Sequence, residues 1–132
     1  MTKKQVTMVL ASSNMHTTPF CPTIADCNLW FNLLNHLMFE GTLPKFRKIT
    51  VRRLRSTFAW CEGMETPIRH RKYTLLVMNN KFKSFGAFYA ILAHEMVHSH
   101  EFHERNVIAH GPYFYSHKEM LREYGIKLAA TY

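Results

Sequence analysis

The 132-residue sequence is short of paired cysteines, of acidic side chains and of long apolar runs, and each shortage removes a class of protein. Cys21, Cys27 and Cys61 form an odd set without a C-x-x-C pair. That argues against a disulfide framework and against a zinc ribbon. Three reduced thiols in a reducing cytoplasm are the expectation. The start, Met1-Thr2-Lys3-Lys4, is basic, but the apolar run behind it, Val6 to Ala11, is short and broken by Thr7. A secretory leader is therefore not expected. No stretch reaches the roughly 20 apolar residues that a membrane-spanning helix needs. The reading is a soluble, cytoplasmic protein without a membrane partner.

Acid is scarce as well: 9 Asp and Glu stand against 17 Lys and Arg, a formal net charge of +8. Such a balance suits an anionic partner, usually nucleic acid, and says nothing about fold. What the chain has in quantity is apolar and aromatic material, 47% and 14% of residues. That composition is globular, and the length suits one domain, 1–132, with a core that needs no staples.

Val6 to Leu10 can form a short strand, and Ser12 to Pro22 reads as loop. Thr23 is a fair N-cap; behind it Ile24, Cys27, Trp30, Phe31, Leu34, Leu37 and Met38 recur at helical spacing. A helix over about 24–39 follows, with Gly41 at its left-handed exit and Pro44 beyond. Phe46 to Val51, Thr57 to Cys61 and Tyr73 to Met78 read as strands, with turns at Glu62-Gly63 and Asn79-Asn80. Ser84 can cap a helix from Phe85 to about Glu104, with Phe85, Phe88, Leu92 and Met96 as its apolar stripe. Gly111-Pro112 opens a last helix, lined by Phe114, Leu121 and Tyr124 and ended by Gly125, with proline at the favoured first position.

The chemistry-bearing segment is His94-Glu95-Met96-Val97-His98, an H-E-x-x-H motif on the expected helix. Positions i and i+4 share a helix face. Two imidazoles so placed can hold one zinc ion, and the glutamate between them reaches the water that the metal acidifies. A catalytic zinc also needs a third protein ligand and an open fourth position. His100 and His103 point away from the His94/His98 face, by about 100° per residue. Glu101 shares that face but lies about 10 Å along the axis from His94. Three ligands in line on one helix cannot surround a tetrahedral ion, so the third must come from chain that has turned back. His110 lies where the chain turns, and His117 is in reserve. The expectation is one Zn2+ per chain on His94, His98 and His110, with Glu95 as general base.

This motif, followed by His110-Gly111-Pro112-Tyr113-Phe114, resembles the SprT-like (Spartan-type) zinc metallopeptidases, whose pattern is H-E-M-x-H, a variable loop, then H-G-x-x-F opening a helix. Upstream, Leu29 to Asn35 and Phe39-Glu40-Gly41-Thr42-Leu43-Pro44 resemble the family's first helix and its F-x-G-x-L-P exit. Ala59-Trp60-Cys61 falls where the family places a strand near a small residue and a cysteine. The resemblance covers roughly residues 24–128. It implies an α+β, minimal zincin-like domain: an N-terminal helix, a small mostly antiparallel sheet, the H-E-x-x-H active-site helix and a C-terminal helix. It also implies the ligand set and base named above, and a peptidase acting on DNA-associated proteins, including proteins crosslinked to DNA. Many relatives carry a zinc ribbon after the protease domain; the cysteine pairs for one are lacking here, so DNA targeting would fall to the domain itself or to a partner. Residues 1–22 are an extension of unknown role.

From Lys45 to Lys83 the chain carries eleven Lys or Arg and two Glu, an excess of nine, which leaves the remainder at −1. Arg47, Lys48, Arg52, Arg53, Arg55, Arg69, Arg71 and Lys72, with Phe58 and Trp60 among them, suit an electrostatic groove for non-specific DNA with stacking groups. Ordinary solubilising charge around core aromatics is the competing explanation. Tyr113, Tyr115, His117 and Arg122 are available to steady a tetrahedral oxyanion. Two functions compete with the peptidase. One is a catalytically silent, zinc-stabilised basic domain that docks on nucleic acid or a protein. The other is a regulator-cleaving zinc peptidase, which would usually take a carboxylate as third ligand.

Overall fold

A computed structural model of the chain describes residues 4–5 and 18–123. The expected strand at Val6 to Leu10 and the helix end at Tyr124 and Gly125 lie outside the described residues. The order is α1 (Ile24–Phe39), β1 (Lys48–Arg52), β2 (Ala59–Glu65), β3 (Lys72–Asn79), α2 (Phe85–Arg105), α3 (Pro112–Tyr115) and α4 (Lys118–Glu123). The fold is α+β.

Helix α1 starts as its sequence dictates. Thr23 Oγ1 accepts from the Asp26 amide at 3.1 Å, and the Asp26 carboxylate accepts from the Thr23 amide at 2.9 Å. This reciprocal box satisfies two amides that a helix start leaves open. At the other end Glu40 and Gly41 both take left-handed backbone, φ 54° and 78°. The buried Asn35 amide then grips the exit, bonding both the carbonyl and the amide of Leu43 at 3.0 and 3.1 Å.

The three strands are ordered β1-β3-β2. β2 pairs with β3 antiparallel, and β1 pairs with β3 parallel. The sheet is therefore mixed, where a mostly antiparallel one was expected. The β1–β2 connection explains this: it crosses the end of β3, so β1 and β2 become opposite edges, and β1 can only run alongside β3. Strand β2 also outruns its expected end at Cys61. Gly63, expected in a turn, sits inside the strand opposite Thr74. A Cβ there would meet the Phe102 ring at 2.3 Å. The glycine is a close-packing residue, and the reversal falls at Thr66–Arg71, where the Thr66 amide donates to the Arg71 carbonyl at 2.9 Å and Thr66 Oγ1 accepts from the Arg71 amide at 3.0 Å.

Register puts Ala59, Cys61 and Gly63 of β2 beside Met78, Leu76 and Thr74 of β3 on one face. That run of small side chains lets α2 lie close. The buried Thr74 and Ser99 hydroxyls meet at 2.7 Å, joining the sheet to α2. The core between α1, α2 and the sheet includes Phe31, Leu34, Leu76, Met78, Phe88, Leu92 and Met96, each at most 2% exposed.

Helix α2 spans 21 residues, capped by Ser84 Oγ on the Ala87 amide at 3.1 Å. Asn106, left-handed at φ 61°, ends it. The last helix is not continuous as expected. It breaks at Ser116-His117, where Ser116 Oγ donates to the Tyr113 carbonyl at 2.5 Å and a side chain competes with the helical ladder. No helix among the described residues is long and apolar enough to cross a membrane.

Candidate metal centre and cleft

His94 and His98 lie one turn apart on α2, 6% and 5% exposed. After Asn106 the chain runs as exposed loop and returns His110 to the same point. The three Nε2 atoms form a near-equilateral triangle: 3.1 Å from His98 to His94, 3.0 Å from His98 to His110, and 3.2 Å from His110 to His94. Among the described residues this is the one group of three or more His, Cys, Asp or Glu arranged to hold a metal ion.

Tetrahedral ligation with nitrogen about 2.0–2.1 Å from zinc would set ligand nitrogens about 3.3 Å apart, close to these separations. Three neutral imidazole acceptors facing one point also make poor mutual hydrogen-bond partners, since each such bond needs one ring to present N–H there. The donor set therefore fits a metal cation. His98 supports the same conclusion: burial, with His94 and His110 beside it, holds its pKa down at about 3, so the ring stays a neutral ligand.

Phe114 completes the centre. Fully buried at the middle of α3, it packs on all three rings, stacked on His98 at 4.9 Å and edge-on to His94 and His110 at 4.8 Å each. Its helical spacing marked it only as core; its role under the ligands follows from α3 turning beneath them.

Glu95 is 5% exposed, with a carboxylate oxygen 3.8 Å from His94 Nε2. Burial pushes its pKa up to about 8. A cation held on the three imidazoles would favour the carboxylate form again. Glu95 and His94 line a cleft of about 410 Å³, whose other walls are the β1–β2 connection from Leu54 to Ala59, Asn79 and Ile91. Asn79 braces that connection, its Oδ1 accepting from the Leu54 amide at 3.4 Å.

The other histidines and acids of the region sit elsewhere. Glu101 pairs with Arg105 at 3.7 Å. His100 stacks on Phe39 at 4.5 Å, and its Nδ1 meets the Tyr113 hydroxyl. His117 joins that cluster, 5.8 Å from His100 and 5.4 Å from Tyr113. Tyr113, Tyr115, His117 and Arg122, the residues considered for oxyanion stabilisation, are not among those lining the cleft; its polar wall is Arg55, Ser56, Thr57 and Asn79. All three cysteines are free, Cys27 buried and Cys21 exposed.

The eight basic residues fall into two groups at opposite ends of the sheet. Arg52, Arg53 and Arg55 stand where β1 ends and the cleft opens. Arg47 and Lys48 stand at the start of β1, and Arg69, Arg71 and Lys72 at the β2–β3 reversal. Two stack on aromatic faces, Arg47 over Tyr73 at 4.5 Å and Arg52 over Trp60 at 5.5 Å. Lys72 Nζ is engaged by the His103 carbonyl at 3.1 Å. A scan against protein-family models matches none, and searches of curated proteins and of solved structures find no match.

Proposed function

We propose that the chain is a zinc-dependent endopeptidase of the SprT-like, zincin kind, acting on DNA-associated proteins in the cytoplasm. The observation that carries the reading is the convergence of three Nε2 atoms beside a buried glutamate that lines an open cleft together with His94. His94, His98 and His110 would hold the ion. Bound there, zinc supplies Lewis acidity, acidifying a water and polarising a carbonyl. Glu95 would accept a proton from the attacking water on its carboxylate oxygen and later deliver it to the departing amine nitrogen. The α2 backbone holds Glu95 and two ligands in fixed relation, so little reorganisation is needed between the two transfers. The β1–β2 connection forms the wall along which a polypeptide would lie.

The exposed cations support a nucleic-acid partner, and the SprT-like resemblance supports DNA-associated substrates. The second reading, a silent basic domain built round zinc, draws on the same cations. It leaves unexplained why an acid is buried next to the ligands and opens on a cleft.

Two variants test the proposal. Glu95→Gln should keep about one zinc per chain and lose several orders of magnitude in proteolysis of an unfolded protein substrate. His110→Ala should lose most of the metal, measured by elemental analysis. Equal proteolysis by Glu95→Gln and the parent would refute the peptidase and favour the silent domain.

A further inference from the structure

The division of the basic residues bears on what the cleft accepts. Leu54 is shared by three adjoining depressions. One is the cleft over Glu95; the second runs past Arg53, Lys81 and Lys83; the third runs past Arg52 and Arg55 to Trp60. Among the residues lining the three, Glu95 is the one acid, and it is buried. Arg53, Arg55, Lys81 and Lys83 are exposed, and none makes an ion pair with a described residue. The one carboxylate near the third depression, Glu62, accepts from the Trp60 indole at 2.8 Å and makes no ion pair with these cations. The cleft and its two adjoining depressions thus carry a run of cations that no carboxylate pairs with, and a cation on the three histidines would add to it.

Resting on the peptidase reading, we propose that this rim selects polypeptide segments with acidic side chains flanking the scissile bond, through Arg53, Arg55, Lys81 and Lys83. Arg55 lines the cleft itself, and the depression that holds Arg53, Lys81 and Lys83 adjoins it through the shared walls Leu54 and Asn79, so a chain extending from Glu95 past these walls meets both sets of charge. Acidic side chains on both flanks meet positive charge; basic ones meet repulsion. The charges also sit above a partly walled cleft, where field lines are focused more than on an open surface. A nucleic-acid strand in the same depression would occupy the place of the substrate, so a peptide is the occupant that the position favours. The opposite end of the sheet remains for DNA.

Exposed ion pairs are each worth a factor of up to about five. Two or three acting together give about a tenfold preference. The probe is three quenched-fluorescent peptide libraries with the same randomised core, flanked by Asp-Asp, Gly-Ser or Lys-Lys. The zinc-loaded protein should cleave the Asp library about ten times faster, by kcat/KM, than the Lys library. The ratio should shrink as salt rises. The Arg53→Glu/Arg55→Glu variant, with zinc content confirmed, leaves two cations against two carboxylates and should bring the three rates together. Equal cleavage of the three libraries by the parent, or a preference unchanged in the variant, overturns the inference and leaves the peptidase standing. Cleavage of none overturns both. Strong inhibition of Gly-Ser cleavage by a short single-stranded oligonucleotide also overturns it, because the rim would then be a nucleic-acid track.

Discussion

His110 reaches the three-histidine cluster from an exposed loop, so something outside the loop must hold it. Tyr113, three residues on, provides the anchor. Its hydroxyl meets His100 Nδ1, its ring lies nearly parallel to the His100 ring (14°, 5.8 Å), and Arg105 covers it at 5.5 Å. Tyr113→Phe keeps the ring and removes one hydrogen bond. Such a bond contributes about 0.5–1.5 kcal/mol net. Groups that orient metal ligands typically contribute 10- to 100-fold in affinity. The hydroxyl does not touch the ligand itself, so the low end applies: zinc binding should weaken about tenfold, or about 1.4 kcal/mol. Competition with a chromophoric chelator at fixed pH measures this. The same substitution made in His110→Ala should change residual binding little, because the anchor acts through His110. An unchanged dissociation constant, or an equal loss in both backgrounds, would refute the anchoring role.

Three further outcomes follow from the packing. Gly63→Ala should lower stability by about 1–3 kcal/mol through collision with Phe102, and less so beside Phe102→Leu; denaturant titration of the four proteins reads the coupling. Alkylation of the native protein at pH 8 should reach the exposed Cys21 and spare Cys27, whose burial pushes its thiol up to about 12; peptide mapping would show Cys27 modified first if its packing were wrong. Charge reversal of Arg69 and Arg71 to Glu should weaken salt-sensitive DNA binding in a gel shift and leave zinc content alone; binding unchanged by the reversal would make the β2–β3 turn a solubilising surface only.

The local signals read correctly were those whose physics is local. Thr23 and Ser84 cap the helices they were expected to cap, because a side-chain oxygen three residues before an amide needs no tertiary context. The shared face of His94 and His98 follows from helix geometry in the same way, and His110 is found beside them. Gly63 was misread because a glycine that admits an aromatic ring looks, in sequence, like a glycine that turns the chain. The parallel β1–β3 pairing depends on which way a connection crosses the sheet, and no residue states that. The basic residues form one run in sequence yet two groups in space, since the end of β1 lies at one end of the sheet while its start and the β2–β3 turn lie at the other. Phe114 carries an apolar period that fits any core position, so its place beneath the three imidazoles was not legible.

The connection from Arg53 to Phe58 spans from one edge strand to the other, while the two helical histidines and Glu95 belong to α2. In the peptidase proposed above, the reacting groups and most of the wall that a substrate would meet are therefore separate parts of the chain. A residue inserted in that connection would reshape the wall without changing the length, phase or caps of the helix. Substrate range can then drift, or be redesigned, by trading one short segment, while the metal centre stays as it is.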